Sequence, residues 1–143
     1  MLNEAATRIR VVKAEANDLV DLSDFIKPFV ASGDLLPRTF DELEDLLETS
    51  FIARLDGRIV GCAALEIYSK KLCEIRSLAV APSAQGLGIG KQLVAACVAL
   101  AEREGVYEIM AISVAENFFK SCGFDFTLPN LKKAFFRQTR DQM

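Results

Sequence analysis

The apolar positions of this chain repeat at two different spacings. Residues 9–15, Ile-Arg-Val-Val-Lys-Ala-Glu, read as a first strand. Leu19, Leu22, Ile26 and Phe29 then recur at three- and four-residue intervals, one face of a helix that Asn17 or Asp18 can cap. Pro28 is expected to kink that helix or lie near its end, and Gly33 to close the region. Thr39-Phe-Asp-Glu42 has the form of a capping box, starting a short helix through Leu43, Leu46 and Leu47. Two strand-like runs, 51–55 and 59–68, flank Asp56-Gly57, a strong hairpin signal. A further strand over 72–80 is joined to them through Ser69-Lys70. From 91 to 104 the stripe Leu93, Val94, Cys97, Val98, Ala101 predicts a helix that Gly105 stops. Residues 106–114 read as a strand and 116–121 as a short helix ended by Cys122-Gly123. The stretch 124–140 reads as two extended pieces around Leu128-Pro129-Asn130.

The order β-α-α-β-β-β-α-β-α-β-β describes an antiparallel meander followed by a right-handed βαβ crossover. The fold class expected is α/β of the mixed α+β kind, not a doubly wound sheet. With 143 residues, the chain is expected to be a single domain over 1–143, without repeats or linkers.

Composition narrows the chemistry. A net charge of −3 offers no basic footprint for nucleic acid. The longest apolar run, 93–101, is far below the ~20 residues that span a bilayer. Glu4 and Arg8 stand where a signal peptide would need an apolar region, so a cytoplasmic protein is the default expectation. Four cysteines occur at 62, 73, 97 and 122 without a C-x-x-C pair, and three lie in apolar stretches, where a thiol acts as a small hydrophobe. No disulfide framework or metal site is expected. The sequence contains no histidine, which removes Ser-His and Cys-His catalysis and any His-ligated metal. Acid–base work falls to carboxylate, Tyr, Cys, Lys or water.

The most informative segment is Gln85-Gly-Leu-Gly-Ile-Gly-Lys91, between the strand over 72–80 and the helix over 91–104. Alternating glycines at a strand-to-helix junction let backbone approach a ligand, and a helix N-terminus presents unpaired N–H groups to an anion. A dinucleotide fingerprint fails because Lys91 stands where its third glycine belongs. A Walker A loop fails at Gln85 and Gln92. The spacing that fits is Gln-x-x-Gly-x-Gly, from Gln85, Gly88 and Gly90. The alternative is a glycine-rich connection that only packs a helix close to a sheet.

This spacing resembles the pyrophosphate loop of the GNAT superfamily of acetyl-CoA-dependent N-acetyltransferases, and the element order matches as well. The resemblance implies a GNAT-type acyl-CoA N-acyltransferase fold: a mostly antiparallel twisted sheet of about six or seven strands flanked by about four helices. Asn117-Phe-Phe-Lys-Ser-Cys-Gly-Phe124 is similar to the superfamily's later helix, where Asn117 and Phe119 would face the cofactor arm. Many members carry there a tyrosine that protonates the departing thiolate; with Phe119 that role is absent. Further segments resemble the acetyltransferase domain of N-acetylglutamate synthases. These are Leu36-Pro-Arg38, Cys62-Ala-Ala-Leu65, Glu74 followed by Ala79-Val80, and Gly123-Phe124 with Leu128-Pro129. A short stand-alone form, lacking the amino-acid kinase domain and its feedback control, is the corresponding expectation.

The resemblance implies roles residue by residue. Acetyl-CoA would be the donor, its pyrophosphate held by Gln85, Gly86, Leu87, Gly88, Ile89, Gly90 and Lys91, its arm by Leu78, Ala79 and Val80. Glu74 would be the general base for an amine that must lose a proton before attack. The alternative is an ion pair with Arg76, unless a bulge separates the two side chains. Arg38 and Arg137 would grip a carboxylate, with Thr139 keeping a hydroxyl two residues on and Ser77 lining the pocket. Their plain readings are solvated surface arginines and a small packed residue. The implied acceptor is the α-amine of an acidic amino acid, best L-glutamate, in arginine biosynthesis. Alternatives are another small amine, a protein amine, or a non-catalytic acyl-CoA-binding or sensor module. Arg76 in place of a small residue, Ala115 where the family offers serine (with Ser113 nearby) and a shortened C-terminal tail depart from the pattern. Oligomeric state is not legible, although superfamily members often dimerise.

Overall fold

Five strands form one sheet in sequence order: β1 (Arg10–Lys13), β2 (Ser50–Leu55), β3 (Arg58–Ile67), β4 (Leu72–Val80) and β5 (Glu108–Met110). Neighbours from β1 to β4 are antiparallel, and β4 and β5 are parallel. The helices are α1 (Leu19–Ala31), α2 (Phe40–Asp45), α3 (Ile89–Arg103) and α4 (Glu116–Ser121). The computed structural model describes residues 9–127 and 133–139, in two compact units, Met1–Ser113 and Val114–Met143.

Local chemistry accounts for most of these elements. Thr39 and Glu42 close the capping box reciprocally: Glu42 N–H donates to Thr39 Oγ1 at 3.1 Å and Thr39 N–H to Glu42 Oε1 at 2.9 Å. Asp56 and Gly57 both take positive φ (52° and 80°), as the tight hairpin turn between β2 and β3 demands. Asp18 stands at the N-cap of α1, but its side chain makes no capping hydrogen bond there. It ends a 3-10 turn over Ala16–Asp18 and accepts the Glu15 N–H at 2.8 Å. Its other oxygen accepts from Arg54 at 2.9 Å, tying the start of α1 to β2. α1 runs through Pro28 to Ala31.

The sheet is covered on both faces. Leu19, Leu22 and Ile26 of α1 and Leu43 of α2 share a cluster with Ile52, Ile59, Cys62 and Ala79. On the other face α3 buries Ile89, Leu93, Val94, Cys97, Leu100 and Ala101. Helix and sheet approach closely at Gly61, where an added Cβ would lie 2.8 Å from Ile89 Cγ2 and 3.1 Å from Leu93 Cδ1.

Two expectations are corrected. The helix expected from residue 91 begins at Ile89, inside the glycine segment. The strand expected over 106–114 is confined to Glu108–Met110. Ile112 and Val114 are exposed, so no burial rewards longer pairing. The five strands among the described residues are close to the six or seven expected. Residues 124–127 and 133–139 form no strand, while Leu128, Pro129, Asn130 and Arg140 lie outside the described residues. In the C-terminal unit, Phe118, Phe119 and Phe124 pack edge to face with centroids 5.1 and 5.5 Å apart.

Because Gly61 admits the first turn of α3, Gly61→Val should overpack this contact. The expected loss is about 1–3 kcal/mol, read from urea unfolding as a lower midpoint with an unchanged m-value.

Candidate functional site

One irregularity divides β4. Ala64 stands opposite Arg76 and Cys62 opposite Ala79, so Ser77 and Leu78 together face Ala63. Ser77 takes a φ of 55°, which a non-glycine residue adopts only under local constraint. Its carbonyl accepts from the Cys62 thiol at 3.2 Å. Burial pushes that thiol up to about 12, so it persists as a donor. Up to Glu74, β4 pairs with β5; the parallel register covers Leu72, Cys73 and Glu74 only. Beyond the bulge Leu78, Ala79 and Val80 have β3 on one side and no strand on the other among the described residues. A row of backbone groups is thereby available to an extended ligand.

This free edge leads into the glycine segment. After Val80 the chain makes a 3-10 turn over Pro82–Ala84 and reaches Gln85, whose side-chain amide lies 3.5 Å from the Val80 carbonyl. Gly86 and Gly88 have φ of 83° and 80°, and a Cβ added to either would meet nothing within 4 Å. The left-handed backbone favours glycine at both positions, while the space over the loop stays open. Gly88 is the N-cap of α3; no side chain caps the helix and its first turn carries no acid. Ile89 is buried and anchors that turn, Leu87 and Gly90 are half-buried, and Lys91 is exposed. The unpaired N–H groups and dipole of a fifteen-residue helix therefore face open space, as an anion site requires.

A charged cluster lies on the α1 side of the sheet. Glu66 and Glu74 are directly opposite across β3 and β4, and Tyr68 and Arg76 follow two residues later on each chain segment. Arg76 Nη1 lies 3.2 Å from Glu66 Oε1, 3.2 Å from the Tyr68 hydroxyl and 3.5 Å from Glu74 Oε1. The Tyr68 hydroxyl donates to Glu74 Oε1 at 2.6 Å. Arg38, preceding α2, reaches Glu66 Oε1 at 3.8 Å and Glu42 Oε2 at 3.9 Å, and its side chain is only 10% exposed. Glu74 is 7% exposed, a buried carboxylate beside a guanidinium. The hydrogen bond to Glu74 is the main cause that raises the Tyr68 phenol above its ordinary range. Burial alone would lower Arg76, but Tyr68, Glu74 and Glu66 outweigh it and raise it.

The alternative to the base reading, an ion pair of Glu74 with Arg76, is present, because the bulge falls after Arg76 and leaves both on one face. Tyr68 and Arg76 both contact Oε1 of Glu74 and leave Oε2 alone. Arg38, Glu74 and Arg76 come together, and Ser77 sits at the bulge next in sequence. Asn117, Arg137 and Thr139 are exposed and Phe119 half-buried, all in the C-terminal unit. Sequence reading missed Glu66 and Tyr68. The signal existed: period-two alternation through the short 69–71 turn puts them on the face of Glu74 and Arg76. Among the described residues no group of three or more His, Cys, Asp or Glu side chains could hold a metal ion.

Comparison with known proteins agrees with this geometry. The family described as "Acetyltransferase (GNAT) family" matches residues 16–124. An uncharacterized N-acetyltransferase of Chlorobaculum tepidum is 31% identical over 128 residues, covering 90% of this chain and 80% of that protein. An amino-acid acetyltransferase of Neisseria meningitidis is 33% identical over 141 residues; the match spans 94% of this chain but 32% of the relative. The structure of N-acetylglutamate synthase from Neisseria gonorrhoeae, complexed with coenzyme A and N-acetyl-glutamate, aligns with a TM-score of 0.71 at 30% identity. The alignment covers 79% of this chain and 27% of that one.

The thiols at 62, 73 and 97 are buried and free, and that burial pushes each pKa upward, making them weaker acids. None is placed to serve as a nucleophile. Native protein treated with iodoacetamide near pH 8 should take one adduct, at half-buried Cys122, by peptide mass mapping. Rapid alkylation of Cys62 would contradict this.

Proposed function

The chain belongs to the GNAT family of acetyltransferases, and from that premise we propose that it acetylates the α-amine of an amino acid, best L-glutamate. The observation that carries the acidic acceptor is Glu66. Its carboxylate already lies between the guanidinium groups of Arg38 and Arg76, 3.8 and 3.2 Å away, beside Glu74. A site that holds one carboxylate in this way has the donors for another.

Acetyl-CoA supplies the activated acetyl group. Of this chain's residues, the α3 N-terminus with Gly86, Gly88 and Gly90 receives the pyrophosphate, flanked by Gln85, Leu87, Ile89 and Lys91. The free edge at Leu78, Ala79 and Val80 pairs with the pantetheine arm, and an N–H there offers the developing oxyanion a hydrogen bond. Glu74 takes the amine proton, directly or through a water, at the oxygen that Tyr68 leaves open. Arg38 binds the acceptor's carboxylate, and Ser77 lines the same pocket. The reaction needs no covalent enzyme intermediate. On this reading residues 1–143 act as one acetyltransferase domain in arginine biosynthesis in the cytoplasm, in line with the amino-acid acetyltransferase relatives. No helix among the described residues is long and apolar enough to cross a membrane.

Glu66 also favours a second reading, another small amine. Glu42, Glu66 and Glu74 set three carboxylates beside two arginines, so a less acidic acceptor meets no penalty there. A thiol-release assay across the amino acids separates the two. With glutamate as acceptor, Arg38→Ala should raise KM roughly ten- to hundredfold, the loss of a charge-assisted hydrogen bond. Glu66→Gln should lower it. An unchanged KM in both would sink the acidic acceptor. Gly88→Ala forces a Cβ into a left-handed position; CoA affinity by calorimetry should fall at least about tenfold, the loss of one charge-assisted hydrogen bond. An inert Glu74→Gln beside a wild type that binds CoA without turnover would point to a binding module instead.

A further inference from the structure

The phenol of Tyr68 has no role in the proposed reaction, yet it makes the shortest side-chain contact in the charged cluster, 2.6 Å to Glu74 Oε1. Its backbone is fixed. Tyr68 directly follows β3, and the N–H groups of Tyr68 and Ser69 both donate to the Leu72 carbonyl, at 3.0 and 3.2 Å. The hydroxyl is also held from the other side by Arg76 Nη1 at 3.2 Å, and Arg76 is itself held by Glu66 at 3.2 Å. The phenol oxygen thus donates its only proton to Glu74 and accepts one from Arg76, leaving no freedom in its direction.

A glutamate has three side-chain torsions and two equivalent oxygens, so burial alone does not aim it at a proton. We propose that Tyr68 is the positioning residue for Glu74: its hydroxyl, oriented by Arg76, occupies Oε1 and turns Oε2 toward the acceptor amine. This rests on the reading of Glu74 as the base. The arrangement works only with the phenol protonated. The groups facing it are Glu66 and Glu74, which oppose its ionisation, and Arg76, which favours it. Tyr68 therefore holds Glu74 without competing for the proton that Glu74 receives.

The chain offers a clean probe, since it has two tyrosines and no tryptophan. Tyr107 is 81% exposed and takes no part in the cluster. In Tyr107→Phe, the ultraviolet phenolate titration reports Tyr68 alone. It should lie above the ordinary ~10 and fall back toward it when Glu74→Gln is added. A titration that Glu74→Gln leaves in place overturns the hydrogen bond and with it the inference. In the second arm, Tyr68→Phe keeps the ring and removes the hydroxyl. With a folded variant, verified by an unchanged melting curve, kcat should fall about ten- to hundredfold, the scale of a misplaced catalytic group. KM for acetyl-CoA and for the acceptor should stay within about twofold, well under the tenfold that 1.4 kcal/mol of lost binding would give. An unchanged kcat overturns the inference, as does a loss confined to KM. If wild type acetylates no amine, the enzyme reading falls and the positioning role with it. If wild type turns over and Tyr68→Phe does so equally, only the role of Tyr68 falls.

Discussion

The bulge at Ser77 and Leu78 is the constraint on which the rest of the site depends. An extra residue in a strand bends it and re-aims the side chains on either side. Up to Arg76, β4 alternates in step with β3, which puts Glu74 and Arg76 across from Glu66 and Ala64. Past the bulge the strand has no strand on its other edge among the described residues and runs straight into the loop before α3. A regular β4 would carry the same residues but would move Leu78, Ala79 and Val80 to the opposite faces. The cost is a serine at positive φ, of order 1–3 kcal/mol for a strained backbone. The Cys62 thiol offsets part of it by satisfying the Ser77 carbonyl from the neighbouring strand.

The two halves that the bulge separates have different electrostatics. Around the loop, donors are left open: backbone N–H groups at the start of α3, with no side-chain cap and no acid in the first turn. Around Glu74, every charge is answered by another, so that buried ionic groups are paired and hydrogen-bonded as burial requires. No buried side-chain nitrogen or oxygen among the described residues lacks a hydrogen-bond partner. The first half is arranged for a strongly charged ligand that arrives from solvent. The second is arranged to hold a carboxylate in place without one.

Much of this is legible in the sequence because local chemistry determines it. The capping box at Thr39, the turn at Asp56-Gly57 and the strand over 72–80 each carry their own signal, and each stands where the sequence places it. The loop's glycine spacing is by itself enough to point to its family. What is not legible depends on pairing between distant segments. The strand after α3 is short because nothing among the described residues covers Ile112 and Val114, which no local pattern reveals. The position of the bulge depends on the β3–β4 register, so the sequence leaves open whether Glu74 and Arg76 meet. Glu66 and Tyr68 escape notice for a related reason: each is ordinary alone and matters only opposite its partner.

The pairing of Glu66 bears on how acceptor binding would be tuned. A guanidinium only 10% exposed and without a counter-ion would cost several kcal/mol. Glu66 shares in removing that cost for both arginines, with Glu42 beside Arg38 and Glu74 beside Arg76, but at 3.8 and 3.2 Å it does so loosely. On the proposed reading, an incoming carboxylate exchanges for an internal one and does not fill a bare cation site. Such an exchange gives modest affinity, because one charge-assisted contact is lost for each gained. It also keeps the arginines in place between turnovers, so little ordering remains to be done when the acceptor arrives. Specificity then comes from geometry: only a carboxylate at the right distance from its own α-amine can displace Glu66 while presenting that amine to Glu74.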